Sequence, residues 1–242
     1  MLINNPITGV VLVGSSSEIG RAILSSLRPE TGTPLILIGR DSASRNTFGF
    51  WPGDVTFFSC DLRDVNQIRE CFKQLQEQFS IDFAIIASAH LPQENQHDNF
   101  DSILETFSVN STGTALAISS LASQMKDSGG TIIYLSSVAC IRPRTKNFSY
   151  AASKQGIDFF TLGLAAYYRK TALNVRVVRP GFVYSKLSKG FQAAPFAISP
   201  FQVAKDVKRG LETSKTVIYS PRVLKLVMAI LRVLPKQIFH KL

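Results

Sequence analysis

What this chain lacks narrows it first. It has three cysteines, Cys60, Cys71 and Cys140, without CxxC spacing. An odd, scattered set fits neither a disulfide framework nor a zinc site, so buried thiols in a reducing compartment are expected. The three histidines, His90, His97 and His240, form no cluster, and no metal is expected. No apolar run approaches the roughly 20 residues that a spanning helix needs. The first such run, "GVVLVG", is too short for a signal-peptide core and has no positive segment ahead of it, so a cytoplasmic location is expected. Acidic residues stop at Glu212. The last 22 residues hold five basic side chains and no acid, and so carry half of the net charge of +10. That concentration argues against a basic surface spread for nucleic acid and for a local anionic partner.

What is present is a globular composition, 45% hydrophobic and 18% charged over 242 residues, within the range of one domain. Short apolar runs at Gly9–Gly14, Pro34–Gly39, Val55–Cys60, Asp82–Ala89 and Thr131–Ser137 read as buried strands, as do "NVRVVRPG" and "TVIYS". Helical spacing fills the intervals, with one break expected in the long segment from Phe100 to Met125. About seven strands that are apolar throughout and alternate with helices predict a doubly wound parallel sheet of the Rossmann type. No repeat or linker interrupts the pattern. The expectation is one domain, 1–220, with a tail, 221–242, that belongs to it.

The first strand runs into "GSSSEIG". Gly14 allows a tight turn and Gly20 close packing of helix on strand. Backbone N–H groups at the helix start, across Ser16, Ser17, Glu18 and Ile19, would face a pyrophosphate. Any strand–turn–helix uses small residues, so position carries this reading: the turn opens the first βα unit, where dinucleotides bind. After strand two come Arg40 and Asp41. An acid there takes the ribose hydroxyls of NAD, and an arginine pairs with the 2′-phosphate of NADP. With Arg40 nearest the strand end, NADPH is expected over NADH. Asp61, past strand three, is placed to accept from an adenine amino group. Leu62, Ala87 and Ala89 follow strands three and four and are counted with the cofactor-binding residues.

"SSVACIRPRTKNFSYAASK" holds the candidate chemistry. Tyr150 and Lys154 are four apart at a helix start and share one face. Ser137 lies thirteen residues earlier, at the end of strand five. A ketone accepting hydride must receive a proton, and a phenol can donate it. Free Tyr titrates near 10, and an ammonium about 6 Å away at an effective dielectric near 20 is worth ~3 kcal/mol, or roughly two pKa units. Lys154 is therefore expected to lower Tyr150 and to hold the nicotinamide ribose. Ser137 would orient the carbonyl, and Asn110 would hold a water that returns protons to Lys154. A YxxxK alone occurs on any surface helix; the register of all these pieces gives it weight.

On these residues the chain resembles the short-chain dehydrogenase/reductase family along essentially its whole length. The resemblance assigns catalysis to Asn110, Ser137, Tyr150 and Lys154, and places "PGFVYS", Pro180 to Ser185, at the nicotinamide. Pro180, Gly181, Val183 and Ser185 are its candidate contacts, and homo-oligomerisation is implied. Two departures stand out. Glu18 replaces the middle glycine of the phosphate turn, and "IASA" (Ile86–Ala89) replaces the family's "NNAG". "SEIG", the Tyr150 helix and the ending "LRVLPKQIFHKL" are similar to one subgroup, the decaprenylphosphoryl-2-keto-erythro-pentose reductases.

That resemblance implies a keto-sugar on a polyprenyl phosphate as substrate, in cell-envelope polysaccharide synthesis, with a partner oxidase supplying it. Arg142, Arg144 and Lys146 would then bind the substrate's phosphate. A soluble carbonyl, such as a 3-oxoacyl thioester or free sugar, is the alternative within enzymes. A cofactor-sensing scaffold without catalysis is the alternative of another class. In the tail, a helix from Val223 to Leu234 has Lys225, Ala229 and Arg232 on one stripe and apolar residues elsewhere. It reads either as a last helix on the core or as a helix in a membrane interface, basic residues at anionic headgroups, making the protein peripheral there.

Overall fold

The computed structural model describes residues 8–27, 29–93, 96, 98–142, 145–233 and 235. Arg144, His97, Leu234, His240 and the basic residues Lys236 and Lys241 lie outside that set. Seven strands form one parallel sheet: β1 (Val10–Val13), β2 (Leu35–Gly39), β3 (Val55–Ser59), β4 (Phe83–Ile86), β5 (Gly130–Leu135), β6 (Leu173–Pro180) and β7 (Val217–Ser220). Their order is β3-β2-β1-β4-β5-β6-β7. The order reverses between β1 and β4, which is where an open α/β sheet forms its ligand crevice.

The helices are α1 (Glu18–Ser26), α2 (Val65–Gln78), α3 (Phe100–Phe107), α4 (Thr114–Met125), α5 (Phe148–Tyr167), α6 (Pro200–Leu211) and α7 (Leu224–Val233). They cover both faces of the sheet, which explains why the strands are apolar without alternation. Val11, Val13, Ile36, Ile38, Ile132 and Tyr134 pack with α2, α4 and α5, including Phe72, Leu75, Leu121 and Ile157. Val10, Leu12, Leu35, Leu37, Ile133 and Leu135 pack with α1 and α6, including Ile23, Leu24, Val203 and Val207. Helix starts follow local chemistry. Ser17, Asp64, Asn99 and Ser199 each accept a first-turn N–H, and Pro200 supplies a preset φ at the start of α6.

The break expected after Phe100 is one π-helical turn, Ser108–Gly113, between α3 and α4. A Cβ on Gly113 would lie 2.1 Å from the Leu62 carbonyl oxygen, so only glycine lets this turn approach the loop after β3. β5 stops at Leu135, two residues short of the predicted end. Ser137 turns out of the sheet to cap a 3-10 turn, Val138–Ile141, its Oγ accepting from the Ala139 N–H at 3.1 Å. β4 likewise ends at Ile86, leaving Ala87 and Ala89 in the loop beyond it.

The tail helix has two apolar faces. Leu224 and Met228 are buried, and a Cβ on Gly181 would meet Leu224 Cδ1 at 2.5 Å. Val223, Leu226, Ile230 and Val233 form a second stripe, exposed at 44%, 66%, 53% and 80%. Lys225, Ala229 and Arg232 are exposed beside it. The core reading of this helix therefore holds for one face, and the other face is open.

Candidate active site

The turn after β1 fits a dinucleotide phosphate. Gly14 has φ 89°, and a Cβ there would lie 2.6 Å from the Ser88 backbone nitrogen. The turn thus sits close against the backbone after β4. A Cβ on Gly20 would meet Leu12 Cδ1 at 2.6 Å. The Ser17 hydroxyl accepts from the Gly20 N–H at 3.1 Å, and the first helical bond of α1 is Arg21 N–H to the Ser17 carbonyl. The amides of Glu18 and Ile19 precede that bond and are donors for an anion. The Glu18 carboxylate does not stand in the cradle unpaired: it accepts from the Lys186 backbone N–H at 2.5 Å. Buried Ser15 bonds Ser44 Oγ at 2.8 Å, linking the turn to the segment after β2.

At the adenosine end, Asp41 is already used. It caps the 3-10 turn Ser42–Phe48, accepting from the Ala43 N–H at 2.9 Å. Arg40 is 62% exposed, 4.0 Å from Glu105, and so is available to a phosphate. Asp61 departs from expectation. Arg63 grips both its carboxylate oxygens and holds its carboxyl below the usual range, so an adenine amino group would compete with that guanidinium.

The structure brings Ser137, Tyr150, Lys154 and Asn110 together. Lys154 is 1% exposed, donates to the Leu135 carbonyl at 2.9 Å, and stands 6.0 Å from the Tyr150 ring centre and 5.0 Å from that of Tyr134. Burial pushes the ammonium down to about 8. The expected lowering of Tyr150 is overturned. Burial pushes the phenol up to about 12, and the hydrogen bond with Ser137 pulls it back only in part. Desolvation of the phenol outweighs the Ser137 hydrogen bond, and the Cys140 thiol adds to the rise.

The Asn110 side chain, expected near a water, is engaged with protein groups. Its amide donates to the His90 carbonyl at 2.8 Å and to Ser153 Oγ at 3.0 Å, and its oxygen accepts from the His90 N–H at 2.7 Å. Both amide hydrogens are spent, so the residue braces the π turn against α5 and the loop after β4.

Sequence reasoning missed the group beneath. Asp158, four residues after Lys154, is buried and paired with Arg179 at 2.5 Å and 3.0 Å. Ser136 Oγ donates to the same carboxylate at 2.5 Å, and Arg179 reaches Tyr219 Oη at 2.8 Å. Cys140, 3.4 Å from Asp158, is pushed up to about 12 by burial and by that carboxylate. The i, i+4, i+8 spacing of Tyr150, Lys154 and Asp158 was the available signal.

Farther along, Gly181 N–H bonds the Ser220 carbonyl, Val183 is buried in a bridge to Ile198, and Ser185 caps a short turn, Lys186–Ser188. Pro180 ends β6 beside Ser220. Of the basic residues expected at the substrate, Arg142 is engaged with the Leu231 carbonyl of α7, which makes it a cap for that helix. Lys146 is exposed.

A crevice at the topological switch point, a helix N-terminus facing it and a Ser–Tyr–Lys group beside it define a dinucleotide-dependent α/β enzyme class. The chain belongs to the short chain dehydrogenase family, whose profile matches residues 8–195. It is 35% identical over 123 residues to an uncharacterized oxidoreductase of Mycobacterium tuberculosis, covering 50% of this chain and 49% of that protein. The chain thus spans about half the length of the first curated relatives it matches. It is 26% identical to the 3-oxoacyl acyl-carrier-protein reductase of Bos taurus over 73% of this chain and 76% of that one. Among solved structures, a short chain dehydrogenase from Burkholderia cenocepacia in complex with NADP has a TM-score of 0.83 at 18% identity, covering 100% of this chain and 98% of the other. A short-chain dehydrogenase from Sphingobium yanoikuyae in complex with NADPH has 0.77 at 18%, covering 96% and 97%. At these identities the structures attest the fold.

Proposed function

We propose that the protein is an NADPH-dependent ketoreductase acting on a polyprenyl-phosphate-linked keto-pentose in cell-envelope polysaccharide synthesis. The Ser137–Tyr150–Lys154 group beside the phosphate turn, its lysine buried and its serine and tyrosine half-buried, carries the chemistry. When bound, NADPH supplies the hydride. Ser137 orients the carbonyl, Tyr150 holds the proton on Oη and gives it to the carbonyl oxygen, and Lys154 keeps a positive charge beside the phenol. The intact group favours catalysis over a cofactor-sensing scaffold.

Apolar surface near the site supports the lipid-linked substrate. The segment after β6 exposes Tyr184, Leu187 and Phe196, and α7 exposes its second stripe beside basic residues. Such a helix suits an anionic bilayer surface, where the protein would be peripheral and meet a polyprenyl lipid without extracting it. The keto group implies a partner oxidase upstream. Phe100 and Leu104 on α3, with Phe159 and Tyr167 on α5, are exposed and fit a homo-oligomer. A second reading, reduction of a soluble 3-oxoacyl thioester, is favoured by relatives named for that reaction.

The test is NADPH oxidation with a polyprenyl-phosphoryl keto-pentose, a 3-oxoacyl thioester and a panel of soluble ketones. The lipid-linked keto-sugar is expected to have the highest kcat/KM, and a preference for any soluble carbonyl overturns that substrate. Tyr150→Phe should lose about 10²–10⁴-fold in kcat while binding NADPH within about twofold. Wild-type rates in that variant overturn the mechanism.

A further inference from the structure

Glu18 is the residue of the phosphate turn that local rules explain least. It opens α1, where the dinucleotide reading puts a pyrophosphate, and it brings a negative charge there. Its carboxylate is bonded to the backbone N–H of Lys186, 168 residues away. Lys186 opens a short 3-10 turn, Lys186–Ser188, in the segment between β6 and α6. The carboxylate therefore stands at the N-terminus of α1, where the helix dipole favours it, and reaches across to one backbone N–H of the distant segment.

Among the described residues, the other hydrogen bonds along this segment's tip, such as Ser188 Oγ to the Val183 carbonyl at 2.6 Å, stay within the segment. Its base is fixed by the Val183–Ile198 bridge, by Tyr184 N–H to the Ile198 carbonyl and by Ile198 N–H to the Phe182 carbonyl. Beyond the base, Leu187, Lys189, Gly190 and Phe196 are exposed. Phe196 has φ 63°, a conformation that a bulky residue keeps only when its surroundings impose it. The Glu18 bond ties the start of this tip to the first βα turn.

We infer that Glu18 is a positioning residue that pins the 182–198 segment over the nicotinamide end of the crevice, at a cost in affinity for the cofactor's pyrophosphate. The inference rests on the dinucleotide reading above. A glycine at this position gives the backbone amide without the charge. Glutamate adds an anion beside an anion and gains a tether across the crevice. Two effects are thereby joined in one side chain, and they separate by substitution. Glu18→Gln keeps an acceptor for Lys186 N–H and removes the charge. Glu18→Ala removes both.

The experiment pairs NADPH fluorescence titration with limited trypsin cleavage at Lys186 and Lys189, both exposed. At low ionic strength both variants should bind NADPH about tenfold more tightly than wild type, and the gap should narrow with added salt. Cleavage should be several-fold faster in Glu18→Ala and close to wild type in Glu18→Gln. Thermal melts establish that the alanine variant is folded, and the glutamine variant carries the charge test on its own. Unchanged NADPH affinity in Glu18→Gln, or unchanged cleavage in folded Glu18→Ala, overturns the inference. Wild-type protein that binds no NADPH overturns the cofactor reading instead, a different result from bound NADPH with no effect of Glu18.

Discussion

Burial moves Tyr150 and Lys154 in opposite directions, up to about 12 and down to about 8. The phenol therefore keeps its proton at any pH of interest, and the ammonium is the group that titrates. We predict that kcat/KM for carbonyl reduction falls as pH rises through about 8, and that Lys154→Arg removes this limb. Stability moves the other way. The folded pKa of Lys154 lies below its ordinary 10.5, so the cost of burying its charge is fully present below about 8 and is relieved as pH rises. A rate that falls between pH 8 and 9 while the melting temperature holds or rises separates titration from unfolding. A flat rate profile to pH 9 would show that Lys154 is not the controlling group. At the other end of the crevice, Arg40→Ala should lower the NADPH-to-NADH preference by about 10-fold or more, as expected for loss of a charge-assisted phosphate contact. Asp41 is committed as a cap and cannot substitute as a ribose acceptor without breaking it. An unmoved ratio in steady-state assays with both cofactors would place the 2′-phosphate elsewhere.

At the scale of elements, helix α5 does more than present a Tyr and a Lys. Its third member, Asp158, ties β6 through Arg179 and the end of β5 through Ser136. Removing one partner of a buried pair leaves the other uncompensated, so Asp158→Ala should lower unfolding stability by about 3–5 kcal/mol in urea titrations. A change under 1 kcal/mol would mean that Arg179 finds another acceptor. The elements themselves were legible from sequence because both faces of the sheet are covered, so each strand is a short apolar run between helical spacings. The grouping of Tyr150, Lys154 and Ser137 and the glycine turn were legible because they depend on local spacing. Asn110's bond to His90, the Asp158–Arg179 pair and the reach of Glu18 to Lys186 were not, since each joins segments far apart in the chain. The direction of the Tyr150 shift was missed for a related reason: Coulomb attraction follows from spacing, whereas desolvation depends on everything packed around the group.

For the whole molecule, charge and apolar surface are both uneven. Half of the net charge of +10 lies after Ser220, where α7 also shows its open stripe. Among the described residues no helix is long and apolar enough to cross a membrane. We predict that the protein sediments with anionic liposomes at low salt and is released at high salt. Leu226→Glu with Ile230→Glu should abolish this binding, because both side chains are exposed and their loss spares the core. Deletion from Pro221 is a poorer test, since it also removes buried Leu224 and Met228. Wild-type protein that stays in the supernatant would leave the stripe without a lipid partner.

Arg142 sits in the loop between Ser137 and Tyr150, and its guanidinium closes the end of α7 at the Leu231 carbonyl. The last described helix and the loop leading to Tyr150 are thus joined through this bond. A pull on residue 233, from a fused tag, an affinity resin or a surface, would load that bond directly. Activity measured on a C-terminally tethered form is therefore expected to differ from that of the free chain, and labels belong at the opposite end of the fold.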